Sequence, residues 1–183
     1  FHSRMAEEAG HFSVADVIAS ISDKMVRRHP HIFADQSVES WDWEAIKAEE
    51  RSSGGAESAM DGVALALPAL MRAQKLQKRA ARTGFDWPDV MGAIEKIGEE
   101  IEELLDAETE AECAEEAGDL LFAAVNAVRH MGVSAEDALR AANAKFERRF
   151  RAMEAIAGDG FADLPLDDKE ALWQRAKRGE NKL

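Results

Sequence analysis

Ile97-Gly98-Glu99-Glu100-Ile101-Glu102-Glu103-Leu104-Leu105-Asp106, followed by Glu115-Glu116-Ala117-Gly118-Asp119-Leu120-Leu121-Phe122, decides the fold. Apolar residues recur three and four apart in both stretches, which is the period of a helix and not of a strand. Ile97, Ile101, Leu104 and Leu105 make one apolar stripe, and Ala117, Leu120, Leu121 and Ala124 make another. A loop near 107–110 predicts an antiparallel helical hairpin. From Ile97 to Val128 there is no lysine or arginine. Acids crowded on adjoining helices repel one another. Exposed acids need only water, but acids interleaved with a core face need a cation. Glu100 and Glu103 flank the first stripe, and Glu116 and Asp119 flank the second. The hairpin brings these pairs together as an all-oxygen cage, the kind of site that hard divalent cations prefer. The competing reading is a solvated acidic face, and for Glu102, Asp106, Glu108 and Glu110 it is the better one. A di-iron bundle would need two Glu-x-x-His motifs. The chain has one, Glu8-x-x-His11, and it lies elsewhere.

Outward from the hairpin, the periodicity stays helical. Alanine, leucine and glutamate abound, and β-branched alternation is absent. The pattern predicts helices over about 2–9, 14–29, 42–51, 69–83, 88–106, 111–131, 135–157 and 168–178. Ser13-x-x-Asp16 and Ser134-x-x-Asp137 resemble capping boxes with Asp in place of Glu. Pro88 suits a first helical turn, and Asp167 and Asp168 precede the last helix. Breaks fall at His29-Pro30-His31 and Gly158-Asp159-Gly160. Arg51 to Ala56 reads as a flexible linker by composition. The expected organisation is an N-terminal piece over 1–51, a linker over 52–66 and a complete helical module over 67–183. An internal repeat at an offset of 121 supports it: Phe1 meets Phe122, Ala6 Ala127, Ser13 Ser134, Asp16 Asp137, Lys24 Lys145, Arg27 Arg148 and Arg28 Arg149. Chance predicts about two identities over that stretch. The first copy lacks a counterpart of the acidic helices, so residues 1–51 read as the remnant of a first module with its upstream half missing.

The 183 residues carry 23 basic and 36 acidic side chains, a formal charge of −13. That charge disfavours a general grip on nucleic acid, but small phosphorylated ligands held through a metal remain compatible with it. The single cysteine, Cys113, excludes an intrachain disulfide and suits a reducing cytoplasm. The longest apolar stretch, Val63 to Met71, is too short to span a bilayer. No export signal follows Phe1.

Lys145, Arg148 and Arg149 fall at i, i+3 and i+4 on one helix face. Opposite a metal cage that face could hold a triphosphate. It could equally pair with the acidic hairpin when the site is empty. Trp173 could stack on a base or lock the C-terminal helix. Phe85 and Trp87 are expected in the core or at a subunit interface, and Trp41 and Trp43 are expected to anchor the helix before the linker.

Glu99-Glu100-x-x-Glu103 with Glu116-x-x-Asp119 resembles the signature of the all-α NTP pyrophosphohydrolases. The surrounding sequence resembles the MazG family more closely. Its carriers are residues 67–79, Gly84-Phe85-Asp86-Trp87, 115–122, 145–150 and 23–33. The resemblance implies an all-α protein of two helical-bundle modules that works as a homodimer. It implies hydrolysis of nucleoside triphosphates to monophosphate and pyrophosphate with Mg²⁺, with Mn²⁺ as the expected substitute. Carried over by position, the metal ligands are Glu100, Glu103, Glu116 and Asp119. Lys96, Glu99, Glu112, Glu115, Lys145, Glu147, Arg148, Arg149 and Trp173 contact the nucleotide. Glu99 is the favoured base toward water, and Glu100 is the other catalytic carboxylate. The alternative is a catalytically silent module that senses nucleotide or binds a partner.

Overall fold

The computed structural model describes residues 1–33, 46, 55 and 57–180, and the described residues contain helices and no strand. The chain divides into two compact units, Phe1–Gly62 and Val63–Leu183. Residues 51–54 and 56 of the expected flexible stretch 51–56, most of the expected helix 42–51, and Trp41 and Trp43 lie outside the described residues.

In the first unit, α1 spans His2–Glu8, α2 Val14–Arg28 and α3 Pro30–Phe33. The predicted capping box starts α2: Asp16 N–H donates to Ser13 Oγ at 3.3 Å, and Ser13 N–H donates to Asp16 Oδ2 at 2.7 Å. These bonds hold the Asp16 carboxyl below its usual range, the backbone bond first. The helix stops at His29, the expected break, where Pro30 cannot supply the next backbone donor.

The second unit holds α4 Ala69–Arg82, α5 Val90–Asp106, α6 Glu110–His130, α7 Ala135–Ala157 and α8 Leu166–Glu180. The hairpin forms as expected, and the α5–α6 pair is its most extensive packing. Close approach is possible because the facing positions are small: Ala93, Ala123 and Ala127 are buried with Val125. The expected stripe is only half right. Ile97 and Leu104 are half-buried, but Ile101, Leu105 and Leu121 are exposed. The alanines set the contact line, and that line carries Glu100 inward instead of Ile101. A second apolar line on α5, through Met91, Ile94, Ile101 and Leu105, is exposed.

Helix α4 lies along α6 and touches α7. Buried Gln77 donates to the Phe122 carbonyl at 2.8 Å. Gln74 donates to the Val133 carbonyl at 2.9 Å and accepts from Ala135 N–H at 3.2 Å, pinning the α6–α7 corner. Helices α7 and α8 enclose a second small core of Met153, Leu172 and Ala176. The turn between them is a 3-10 helix over Gly158–Gly160, where Gly158 adopts a φ of 67° that favours glycine.

Two helix starts differ by two residues from the sequence reading. Helix α5 begins at Val90, because the Asp89 carboxylate caps it by accepting from Met91 N–H. Helix α8 begins at Leu166, so Asp167 and Asp168 lie inside its first turn, where acids favour the helix dipole. Ser134 caps α7, accepting from Asp137 N–H.

Candidate metal and nucleotide site

The site grows from helical spacing on α5. Lys96, Glu99, Glu100 and Glu103 follow at i, i+3, i+4 and i+7, so they share one face. Glu116 faces them from α6 across the alanine-lined contact. Carboxylate oxygens of Glu100, Glu103 and Glu116 lie within 4.8 Å of one another. Glu100 is 4% exposed, Glu116 half-buried and Glu103 exposed, so the cluster runs from the helix interface out to solvent.

Burying a carboxylate costs several kcal/mol unless it is paired. The pairing here comes from Lys96, whose ammonium lies 2.8 Å from Glu100 Oε1, 3.1 Å from Glu99 and 3.8 Å from Glu103. The bonds to Glu100 and then Glu99 hold Lys96 protonated well above the ordinary lysine range. The other oxygen of Glu100, Oε2, is buried and has no hydrogen-bond partner. Partial desolvation, then the charges of Glu103, Glu100, Asp119 and Glu115, push the Glu116 carboxyl above its usual range. A buried, unpartnered oxygen beside converging carboxylates is a donor set that fits a hard divalent cation.

The predicted fourth ligand, Asp119, is not among the three that converge and stays exposed. It is one methylene shorter than glutamate and sits about 60° around the axis from Glu116, the offset of an i, i+3 step. It remains near enough for its charge to act on Glu116. A groove of about 470 Å³ opens beside the cluster, lined by Glu103, Asp106, Ala107, Glu108, Glu112 and Glu116.

The other candidate nucleotide contacts divide between two places. Glu112 is committed to the start of α6. Its carboxylate accepts from Glu108 N–H at 2.9 Å and Thr109 N–H at 3.0 Å, and Thr109 Oγ1 caps in return. Those bonds hold its carboxyl low. The Thr109-x-x-Glu112 spacing is the sequence signature of this box. Glu115, one position before Glu116, is exposed. On α7, Glu147 pairs with Arg151. Arg149 lies over the Trp173 ring at 5.5 Å, and Phe146 packs on the same ring at 5.4 Å. Trp173 also packs against the Met153, Leu172 and Ala176 core, so its contacts within the chain are those of a helix lock.

A polar network that the sequence did not reveal fixes the start of the hairpin. Asp86 Oδ1 accepts from Arg129 Nη2 and lies 3.1 Å from His130 Nε2, and Arg129 also donates to Asn126. The Arg129 bond holds the Asp86 carboxyl below its usual range. Of the two places expected for the neighbours of Asp86, core or subunit interface, exposure removes the first for Phe85. Phe85 is 82% exposed, so it is not a core residue of this chain, and Trp87, half exposed, packs its ring against Gly92.

No described helix is long and apolar enough to cross a membrane. Residues 69–146 match the phosphoribosyl-ATP pyrophosphohydrolase family, and residues 1–33 match the MazG nucleotide pyrophosphohydrolase domain. A nucleoside triphosphate pyrophosphohydrolase of Escherichia coli is 47% identical over 193 residues, covering 98% of this chain and 73% of that protein. The nucleoside triphosphate pyrophosphohydrolase/pyrophosphatase MazG of Thermotoga maritima is 43% identical, over 98% of this chain and 72% of its own length. The protein YabN of Bacillus subtilis is 42% identical over 99% of this chain, which is 39% of YabN. Identity of this extent reaches both units and the acidic hairpin alike, and the chain belongs to the MazG family of nucleoside triphosphate pyrophosphohydrolases.

Proposed function

We propose that this chain hydrolyses a nucleoside triphosphate to the monophosphate and pyrophosphate, using Mg²⁺ held by Glu100, Glu103, Glu116 and Asp119. The observation that carries the reading is Glu100: a buried carboxylate with one oxygen unpartnered, facing two further carboxylates. The bound ion would supply positive charge that offsets the phosphates and acidifies water. Glu99, exposed beside the cluster, accepts the proton that water gives up. Lys96, Lys145, Arg148 and Arg149 supply the cationic contacts a triphosphate requires, as point charges from the lysines and planar forks from the arginines. Glu112, Glu115, Glu147 and Trp173 complete the nucleotide contacts by family resemblance, and Glu112 also holds the start of α6 in place.

Residues 67–183 form the catalytic module in this reading. The match of residues 1–33 to a MazG domain supports reading 1–51 as part of a first module of the same kind. The protein acts as a homodimer. The exposed line of Met91, Ile94, Ile101 and Leu105 on α5, with Leu121 on α6, supports that, since exposed apolar stripes mark contact surfaces.

Product analysis tests the function. Ion-exchange chromatography after incubation with each NTP and dNTP should show monophosphate plus pyrophosphate with Mg²⁺ and nothing with EDTA. Diphosphate plus phosphate would overturn the reaction assigned. Bound nucleotide without turnover would favour a sensing module.

A further inference from the structure

We propose that Lys96 is the resident counter-cation of the carboxylate cage, neutralising it in the absence of a divalent ion and competing with that ion for the same oxygens. The inference rests on the metal-binding reading above and concerns what holds the cage together without metal. Three distances carry it: 2.8 Å to Glu100, 3.1 Å to Glu99 and 3.8 Å to Glu103. Two of those carboxylates belong to the converging set. From Ile97 to Val128 the sequence provides no other cation, so on the hairpin beyond it Lys96 has no deputy.

The chemistry of the residue suits both parts of the role. An ammonium is a compact point charge on a long, flexible stem, unlike the planar fork of arginine. Its side chain is 39% exposed, so it can leave the cage for solvent without repacking the helix interface. Glu100, at 4% exposed, cannot follow it. A divalent ion approaching Glu100 and Glu103 therefore meets an ammonium already bound to both, and Coulomb repulsion makes the two cations alternatives. Removing Lys96 should then strengthen metal binding and weaken the metal-free fold together. A lysine displaced from the cage is also free to meet a phosphate, so its nucleotide contact and its cage contact become two positions of one group.

The test uses the full chain and Mn²⁺ alone, without nucleotide, followed by calorimetry and by the electron paramagnetic resonance signal of free Mn²⁺. Lys96→Met should bind Mn²⁺ roughly tenfold more tightly than the unaltered protein. It should also melt at a lower temperature in EDTA and gain more from added Mn²⁺. Lys96→Gln, the second neutral variant, should behave alike. Lys96→Arg, which keeps the charge, should stay within about twofold of the unaltered affinity. A folded Lys96→Met or Lys96→Gln that binds Mn²⁺ no more tightly than the unaltered protein overturns the proposal while leaving the metal site intact. Absence of Mn²⁺ binding by all the proteins overturns the metal reading itself.

Discussion

Replacing Glu100 by glutamine separates the two demands made on that position. Glu100 is the most deeply buried acid of the cluster, at 4% exposed, with Lys96 2.8 Å from one oxygen and no partner on the other. Glutamine keeps the volume and an acceptor for Lys96 but removes the charge. Without metal the variant gives up an ion pair and also escapes the burial cost of a carboxylate, which is several kcal/mol per ion. These effects oppose one another, so the metal-free stability should change by no more than about 1 kcal/mol. With metal the balance changes. An ion at about a hundred times its dissociation constant stabilises the native state by about 2.7 kcal/mol. For a unit of this size that corresponds to a rise of roughly 10 °C in the melting temperature. Glu100→Gln should lose most of that rise, and turnover should fall by at least about a hundredfold. The assay is a pair of thermal melts, in EDTA and in Mg²⁺, beside a pyrophosphate-release rate. A variant with the full Mg²⁺-dependent rise, or with turnover within threefold of the unaltered protein, would refute the reasoning.

Other perturbations test the frame around the cage. In Gly92→Ala the added Cβ would stand 2.6 Å from the Trp87 ring, so the ring must move. Overpacking of this kind costs about 1–3 kcal/mol, more than the helix gains from alanine, and denaturant melts with tryptophan emission should show both the loss and the ring's displacement. Asp86 has a lowered folded pKa, so its stabilisation is present above the unfolded value near pH 3.9 and is lost as pH falls through the folded value. Asp86→Asn should therefore cost about 1.5–3 kcal/mol in urea melts at pH 7 and much less at pH 3, and an equal cost at both would remove Asp86 ionisation as the cause. Leu105, 79% exposed, should tolerate glutamate in a monomer; if its apolar line is a dimer interface, Leu105→Glu lowers the mass found by sedimentation equilibrium without unfolding the helices.

Local chemistry made most of the helices legible. The Ser13 box and the glycine break at 158–160 depend on neighbours within a few residues and form as expected, while of the box expected at Ser134 only the serine's cap on Asp137 N–H forms. The rotation of α5 was not legible. Ile97, Ile101, Leu104 and Leu105 read as one stripe, yet small Ala93, Ala123 and Ala127 determine which side of α5 meets α6. That choice turns Glu100 inward and leaves Ile101 and Leu105 outside. It also explains why three carboxylates converge and Asp119 stands apart. Glu112 illustrates a different limit: an acid at the third position of a helix serves the backbone first, whatever its neighbours do. The Asp86, Arg129 and His130 network joins residues more than forty positions apart, and no periodicity marks it.

The claim that joins these observations is that Glu100, Glu103 and Glu116 hold the ion on which hydrolysis depends. Anomalous diffraction from crystals grown with Mn²⁺ tests it most directly. The account predicts a manganese peak bonded to oxygens of Glu100, Glu103 and Glu116, with Asp119 drawn in and Lys96 moved out. A peak elsewhere, or none with Lys96 still bonded to Glu100, would contradict it.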